Sequence, residues 1–336
     1  MRVANRHVKL RPVGGPKRAP LLLSWRPAID GRLRVNRSPA EIGSDVAVWA
    51  VVVTHNRLSL LRQCLAALAV QTRRLDEVLV IDNASIDGTA PAVAAGFPWV
   101  RLQVLPTNEG GAGGFHEGLR SAHAAGAEWV WLMDDDTIAQ PEALARLLAA
   151  PSRLPDEDRP VLLASRAVWD DGHLHPMNAP GFERDDVACV VAGCERGLMP
   201  LRTATFVSLL VHRGAVDRHG LPLKHYFIWS DDIEYTARIL RHERGYLVPT
   251  SIVHHRTPTA YTAVSTSGDR FYFHIRNTLF MVRGSAWSTR EKLTLVWIII
   301  STSHAYLAHN RWSSAHWRVV TRGLRDGLRA GAARSG

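Results

Sequence analysis

Apolar residues fall into short unbroken runs along the first part of the chain, and each run closes on a polar turn. Val46-Ala-Val-Trp-Ala-Val-Val-Val53 has no alternating polar position, the pattern of a parallel strand covered on both faces. Thr54-His-Asn-Arg57 follows as a turn and helix start, and a helix is predicted over residues 59–71. Glu77-Val-Leu-Val-Ile-Asp82 is a second buried strand that ends in a carboxylate. The turn-rich Asn83-Ala-Ser-Ile-Asp-Gly88 leads into a helix over 89–95, and a third strand is expected over 100–105. Asn108-Glu-Gly-Gly-Ala-Gly-Gly114 reads as a loop before a helix over 115–125, which returns the chain to the strand Trp129-Val-Trp-Leu-Met-Asp134. Strand and helix alternating in this way predict a doubly wound α/β layer.

Open parallel sheets bind ligands outside the carboxyl ends of their strands, so residues 54–57, 82–87 and 134–136 are expected to share one crevice. The strand ending in Asp134, Asp135 and Asp136 carries the strongest chemical signal. Three adjacent carboxylates repel one another and lose hydration at a strand end, unless a cation with hard oxygen ligands sits among them, which points to Mg²⁺ or Mn²⁺. Such an ion leaves coordination positions that phosphate oxygens fill, so a nucleotide or another diphosphate is the expected second ligand. A solvated acidic corner is the rival reading of the three acids alone, and a turn cap is the rival reading of Asp82. Gly110, Gly111, Gly113 and Gly114 lack the Lys and Ser/Thr of a P-loop, and their place after the third strand is wrong for a Rossmann fingerprint. A close approach of their backbone to a sugar or phosphate is expected instead.

Composition narrows the class. The chain has 336 residues, 46% of them apolar, enough for one large or two modest globular domains. Its net charge of +10 sits mostly at the ends: residues 1–40 hold ten Lys and Arg against Asp30, and residues 311–336 hold six Arg against one acid. Basic ends suit anionic lipid headgroups. No zinc-finger spacing, ribonucleoprotein motif or basic helix with heptads supports nucleic acid as a partner, and none is expected. Cys64, Cys189 and Cys194 form no CxxC pair, as in a reducing cytoplasmic compartment. Residues 1–44 read as a basic, loosely ordered N-terminal arm with one short strand near 21–25. Their apolar run Leu21-Leu-Leu23 is too brief for a secretory signal. Leu295-Val-Trp-Ile-Ile-Ile300 falls far short of the roughly 20 residues a membrane-spanning helix needs.

Taken together, Val51-Val-Val-Thr-His-Asn-Arg57, Val80-Ile-Asp-Asn-Ala-Ser-Ile-Asp-Gly88, Asn108-Glu-Gly-Gly-Ala-Gly-Gly-Phe115 and Trp129-Val-Trp-Leu-Met-Asp-Asp-Asp136 resemble family 2 inverting glycosyltransferases of the GT-A fold. The glycine run, with Phe227-Ile-Trp-Ser-Asp-Asp-Ile-Glu-Tyr235 and Phe271-Tyr-Phe-His-Ile-Arg-Asn277, is similar to actinobacterial galactofuranosyltransferases that build cell-wall galactan, with related rhamnosyltransferases close behind. The resemblance covers residues 46–283. It implies that Asp82 binds the base and that Thr54, Asn56 and Arg57 line the nucleotide pocket, with Asn83, Asn108 and the four glycines beside them. Asp134 and Asp136 would hold the metal and the donor diphosphate, and Asp135 would contact donor sugar or ribose. The family's base matches Asp232, with Asp231 beside it. Ser230 separates these acids from Trp229, where the family has Trp directly before them, so the two roles could be exchanged. One metal-binding His is implied after the apolar stretch 246–253, where both His254 and His255 are candidates. Trp229, His274 and Arg276 are candidates to face the acceptor.

Residue chemistry agrees with this. A one-step inverting displacement needs a carboxylate to take the acceptor proton and a cation to neutralise the departing diphosphate. Adjacent acids after an aromatic run should have raised, coupled pKa values; an acid pair at a helix N-terminus is the rival reading. Ser288-Thr-Arg-Glu291 is a capping box that starts a helix through Ile300, with Trp287, Trp297, Trp312 and Trp317 near the basic tail. Trp with Arg suits a membrane interface, and a docked helix closing the domain explains it equally well.

The expected organisation is therefore an arm (1–44), a GT-A catalytic domain (45–283, divided near 140 into nucleotide-sugar and acceptor halves) and C-terminal amphipathic helices with a basic tail (284–336). The expected reaction moves galactofuranose from UDP-galactofuranose to a polyprenyl-diphosphate-linked glycan at the cytoplasmic membrane face; homo-oligomerisation is compatible with it. The alternatives are rhamnosyl transfer from dTDP-rhamnose and a non-catalytic sugar-nucleotide-binding membrane scaffold. A nucleotidyltransferase lacks its glycine-rich N-terminal signature here.

Overall fold

Strands and helices alternate through the first half as the hydrophobic pattern predicts: β1 (Val48–Thr54), α1 (Leu58–Ala69), β2 (Glu77–Asp82), α2 (Thr89–Gly96), β3 (Arg101–Val104), α3 (Gly110–Ala124) and β4 (Trp129–Asp134). The computed structural model describes residues 46–257, 264 and 267–329, all within one compact unit, Pro39–Gly336. The expected N-terminal arm and its short strand lie outside the described residues. β1 is flanked in parallel by β2 and β4, with Thr54 opposite Asp82 and Val53 opposite Asp134. That register brings three polar strand ends to one edge of the sheet, the crevice expected from the sequence.

The second half continues the sheet with reversed directions. It comprises β5 (Thr137–Ala139), α4 (Ala143–Leu148), β6 (Leu162–Val168), β7 (Gly181–Phe182), α5 (Val187–Glu195), β8 (Met199–Thr203), β9 (Leu209–His212), α6 (Arg213–His219), α7 (Asp231–Leu240) and β10 (Gly245–His255). The strand order is β3-β2-β1-β4-β9-β6-β10-β8-β7, with β5 on β10. β9 is antiparallel to both β4 and β6, so the doubly wound parallel layer ends at β4 and a mixed half begins. Both faces are covered. Val48, Ala50 and Val52 of β1 enter one apolar cluster with α1 and α4, while Val51 and Val53 enter another with α3, which is why this strand shows no alternation in sequence.

Three helices follow: α8 (Phe271–Arg283), α9 (Thr289–His309) and α10 (Ser314–Arg329). The expected capping box at Ser288 and Glu291 is formed. α9 and α10 fold back onto α8 through Phe271, Ile275, Ile299, Tyr306 and Val320. Trp287 is buried, with the Arg202 guanidinium 4.9 Å from its ring centroid, and so has no part in an exposed aromatic surface.

The glycine run differs from the expected loop. α3 begins at Gly110, so the glycines form its first turns. A Cβ on Gly114 would lie 2.4 Å from Val53 Cγ1, and one on Gly118 would lie 2.3 Å from Val51 Cγ1. Helix-to-strand packing requires the small residues on that face; Gly111 alone of the four glycines at 110, 111, 113 and 114 is open.

Candidate active site

The acid cluster is assembled by β4, the turn after it and the end of β10. β5 pairs antiparallel with β10, placing Thr137 opposite His255. Asp134, Asp136 and His255 consequently offer ligand atoms that all lie within 4.8 Å of one another. Between the two histidine candidates the geometry selects His255, whose Nε2 is 3.1 Å from Asp136 Oδ1. His254 projects to the opposite face of the strand, where its nearest polar partner is Gln140 Nε2 at 3.4 Å.

Sequence reasoning missed Asn178. Its Oδ1 is 2.7 Å from His255 Nδ1, and its Nδ2 donates to Thr205 Oγ1 at 3.3 Å, which orients the amide. An amide oxygen only accepts, so Nδ1 carries a proton; Nε2 donates to Asp136 while the ring is charged, and its lone pair becomes available to a cation once that second proton has left. Nothing in the loop after β6 announces this residue in the sequence.

Asp135 is held apart from the Asp134, Asp136 and His255 trio. Thr54 Oγ1 donates to its Oδ2 at 2.7 Å, and Arg57 Nη1 reaches its Oδ1 at 3.3 Å and Asp136 Oδ2 at 2.7 Å. Arg57, expected in the nucleotide pocket, therefore serves as the counter-charge of the acid cluster, with about half of its side chain still exposed. Burial pushes Asp134 up to about 7, with the Asp136 charge adding to it. Burial likewise lifts Asp135 to about 6, although Arg57 pulls it back. For Asp136 the burial penalty is outweighed by the hydrogen bond and charge of His255 and by Arg57, so its pKa falls. His255 is raised, because Asp136 and Asp134 outweigh its own desolvation. Two hard carboxylates and one imidazole fit a divalent cation of the Mn²⁺ or Mg²⁺ kind.

The turns after β1 and β2 are stitched together. Asn56, at φ 54°, accepts from Ile86 N at 2.8 Å and donates from its own N to Ser85 Oγ at 2.9 Å. Asp82 is fully buried; its Oδ1 accepts from Ser85 N at 2.9 Å, and its Oδ2 has no partner. A buried carboxylate oxygen left unpaired at a strand end is an unmet acceptor, of the kind a base N–H satisfies. Asn83 and Asn108 act on the protein itself. Asn83 Nδ2 donates to Gly110 O and its Oδ1 accepts from Glu109 N, both at 2.8 Å, while Asn108 Oδ1 accepts from Gly110 N at 2.8 Å. They fix the start of α3.

The acid pair opens α7. Asp231 is buried, and its pKa is raised well above the carboxylate range by burial, then by Asp232 and Asp134. Asp232 is partly exposed and pushed up to about 6 by burial, with the Ile233 N–H opposing. The loop before the pair is held at the start of α3, where Ala112 N donates to Phe227 O at 3.1 Å. Trp229 stands partly exposed just before the pair. The other two acceptor candidates are engaged within the protein. His274 turns to α9, where Nε2 is 3.2 Å from Thr302 Oγ1, and burial lowers it to about 4. Arg276 is spent on the backbone carbonyls of His225 and Tyr226.

Residues 49–157 match the profile of Glycosyl transferase family 2. Among curated relatives, "Galactofuranosyltransferase GlfT1" of Mycobacterium tuberculosis is 34% identical over 214 residues, 58% of this chain and 65% of the relative. The match thus spans just under two thirds of that relative's length. The "N-acetylglucosaminyl-diphospho-decaprenol L-rhamnosyltransferase" of the same organism is 26% identical over 277 residues, 73% of this chain and 90% of the relative. Among solved structures, S. aureus TarS 1-349 in complex with UDP-GlcNAc superposes with a TM-score of 0.56 at 15% identity, covering 84% of this chain and 81% of that one. These findings bear out the resemblance read from the motifs and the α/β GT-A fold with its helical C-terminal segment. They also support the expectation of a glycosyltransferase.

Proposed function

We propose that this chain is a metal-dependent inverting glycosyltransferase that moves galactofuranose from UDP-galactofuranose to a polyprenyl-diphosphate-linked glycan. The observation that carries the reading is the Asp134, Asp136 and His255 cluster, with a second acidic pair within its electrostatic reach. Asp134, Asp136 and His255 can hold a divalent cation, and Asp231 with Asp232 stands close enough for Asp134 to act on it electrostatically. When bound, the cation neutralises charge on the departing diphosphate. Asp232, ionised above about pH 6, takes the proton of the acceptor hydroxyl as its oxygen bonds the anomeric carbon and the bond to UDP breaks. Asp82 Oδ2 would accept from the base, and the half-exposed Arg57, beside the acid cluster, would face the phosphates.

The acceptor reading draws on the galactofuranosyl and diphospho-decaprenol relatives, and on α9. Leu293, Trp297 and Ile300, each about two-thirds exposed, form one stripe at helical spacing that continues to exposed Trp312 and Trp317. Glu291 is the one acid between residues 289 and 325, and it turns inward onto Arg202. An apolar, Trp-bearing face with Arg290 and Lys292 at one end of its helix and Arg311 at the other suits the headgroup region of an anionic membrane. Among the described residues no helix is long and apolar enough to cross one. Sedimentation with phosphatidylglycerol vesicles should fall in Trp297→Ser/Ile300→Ser; unchanged binding would remove the surface role.

Calorimetric titration of UDP-galactofuranose, UDP-galactopyranose, UDP and dTDP-rhamnose, with and without Mn²⁺, tests the donor. Metal-dependent UDP binding that disappears in Asp136→Ala is the expected result. A preference for dTDP would favour rhamnosyl transfer, the second reading, which the 90% coverage of the rhamnosyltransferase relative keeps in play. No nucleotide binding would overturn both.

A further inference from the structure

Three stretches that stand out in the sequence, the glycines at 110–114, Phe227-Ile-Trp-Ser-Asp-Asp232 and Phe271-Tyr-Phe-His-Ile-Arg-Asn277, converge on one loop, residues 225–230. The loop is strained. Phe227, Trp229 and Ser230 adopt φ of 64°, 66° and 64°, a region that side-chain-bearing residues seldom occupy. Such a run persists only where the surroundings over-determine it.

Two side chains of α8 supply that constraint. Asn277 is fully buried, and its Nδ2 donates to the carbonyls of Tyr226 (3.0 Å), Ile228 (2.9 Å) and Trp229 (2.8 Å). Arg276 Nη2 donates to the carbonyls of His225 (2.9 Å) and Tyr226 (2.7 Å). Its Nε donates to Asn277 Oδ1 at 2.9 Å and so fixes the amide's orientation. On the opposite side, the Phe227 carbonyl accepts from Ala112 N at 3.1 Å in the first turn of α3. A Cβ on Gly110 would lie 2.0 Å from that same oxygen. The Phe227 ring stacks on Phe273 at 5.4 Å. α7 starts at the next residue after Ser230, and Glu234 N donates to Ser230 O at 2.9 Å. The direction in which Asp231 and Asp232 leave the loop is thus set by a backbone clamped from α8 and α3.

We propose that Asn277, locked by Arg276, is a positioning residue that holds the strained loop and through it aims the Asp231–Asp232 pair at the acceptor hydroxyl. The inference rests on the glycosyltransferase reading and assigns Asn277 no contact with substrate. Only a donor can serve at the Nδ2 position, where two N–H groups are shared among three carbonyl oxygens.

The test is steady-state transfer from the wild-type enzyme's preferred nucleotide sugar, with UDP affinity measured by calorimetry in Mn²⁺ and folding by thermal melting. Asn277→Asp keeps the shape and removes the donors. It should lower kcat about 100-fold, as a displacement on the order of 1 Å does, leave UDP affinity within about threefold, and shift the acid limb of the kcat profile. Arg276→Gln, which leaves Asn277 in place, should lower kcat about tenfold in the same manner. Adding Ser230→Gly to Asn277→Asp, where glycine takes the positive φ without strain, should recover part of the loss. Wild-type kcat and pH profile in both single variants would overturn the proposal. So would a loss of kcat matched by equal losses of UDP affinity and folded protein. A wild type that binds no nucleotide would instead overturn the functional reading, and this inference with it.

Discussion

His255 Nε2 lies 3.1 Å from Asp136 Oδ1 because β5, only three residues long, pairs with the end of β10 and carries the acidic turn against it. The contact joins a raised imidazole to a depressed carboxylate, with Asp134 at about 7 beside them. In the metal-free protein at pH 6, His255 and Asp134 both hold protons that must leave before they can ligate a cation. Mn²⁺ affinity should therefore fall as pH drops from about 8 to 6, and binding should release protons. Calorimetry in buffers of different ionisation enthalpy reads both quantities; pH-independent binding without proton release would refute the ligand set.

Asn178 makes a separate prediction, because it touches the histidine and none of the carboxylates. Replacing it by Leu removes the acceptor that keeps the His255 proton on Nδ1, and Mn²⁺ affinity should drop about 10- to 100-fold. Asn178→Asp keeps an acceptor at the same place and should retain most of the affinity. Equal losses in the two variants would show that bulk, and not the tautomer, matters there.

The acid pair divides by environment. Asp232, at about 6, is ionised near neutral pH, while Asp231 is raised well above the carboxylate range and stays protonated. Asp232→Asn should lower kcat by about 10²- to 10⁴-fold with nucleotide binding intact, and Asp231→Asn should be much milder. In the wild type, kcat should fall as pH drops through about 6, since protonation of Asp232 removes the base. The opposite ranking of the two variants would exchange their roles.

The residues along β1, β2 and β4 made the crevice readable, since unbroken apolar runs ending in Thr54, Asp82 and Asp134 specify parallel strands whose polar ends meet. Local pattern also located the capping box at Ser288. Long-range choices were not readable. His254 and His255 differ only in which face of β10 they occupy, and that follows from pairing with a three-residue strand that has no sequence signature of its own. Asn83 and Arg276 are polar residues in suggestive motifs, yet their hydrogen bonds close on backbone groups brought up by distant segments, while Asn108 closes on the backbone two residues on. Asn178 sits in a loop with no pattern at all. The glycine run misled because small residues required by close packing look the same in sequence as small residues required by a ligand.

That last ambiguity can be resolved by stability alone. Alanine is favoured over glycine inside a helix by about 1 kcal/mol, so Gly→Ala along α3 tests what each position has room for. At Gly118 the new Cβ would meet Val51 Cγ1 at 2.3 Å and Ile81 Cγ1 at 3.1 Å. Both neighbours are fully buried on central strands and cannot withdraw. Overpacking there costs about 1–3 kcal/mol, and so close an approach belongs at the upper end, so Gly118→Ala should destabilise by about 1–2 kcal/mol net of the helix gain. Gly111 meets nothing within 4 Å, and Gly111→Ala should be neutral or slightly stabilising. Urea unfolding of both variants checks the contrast. A stabilised Gly118→Ala would mean that α3 does not sit this close to β1, and the packing explanation of the glycine run would fail.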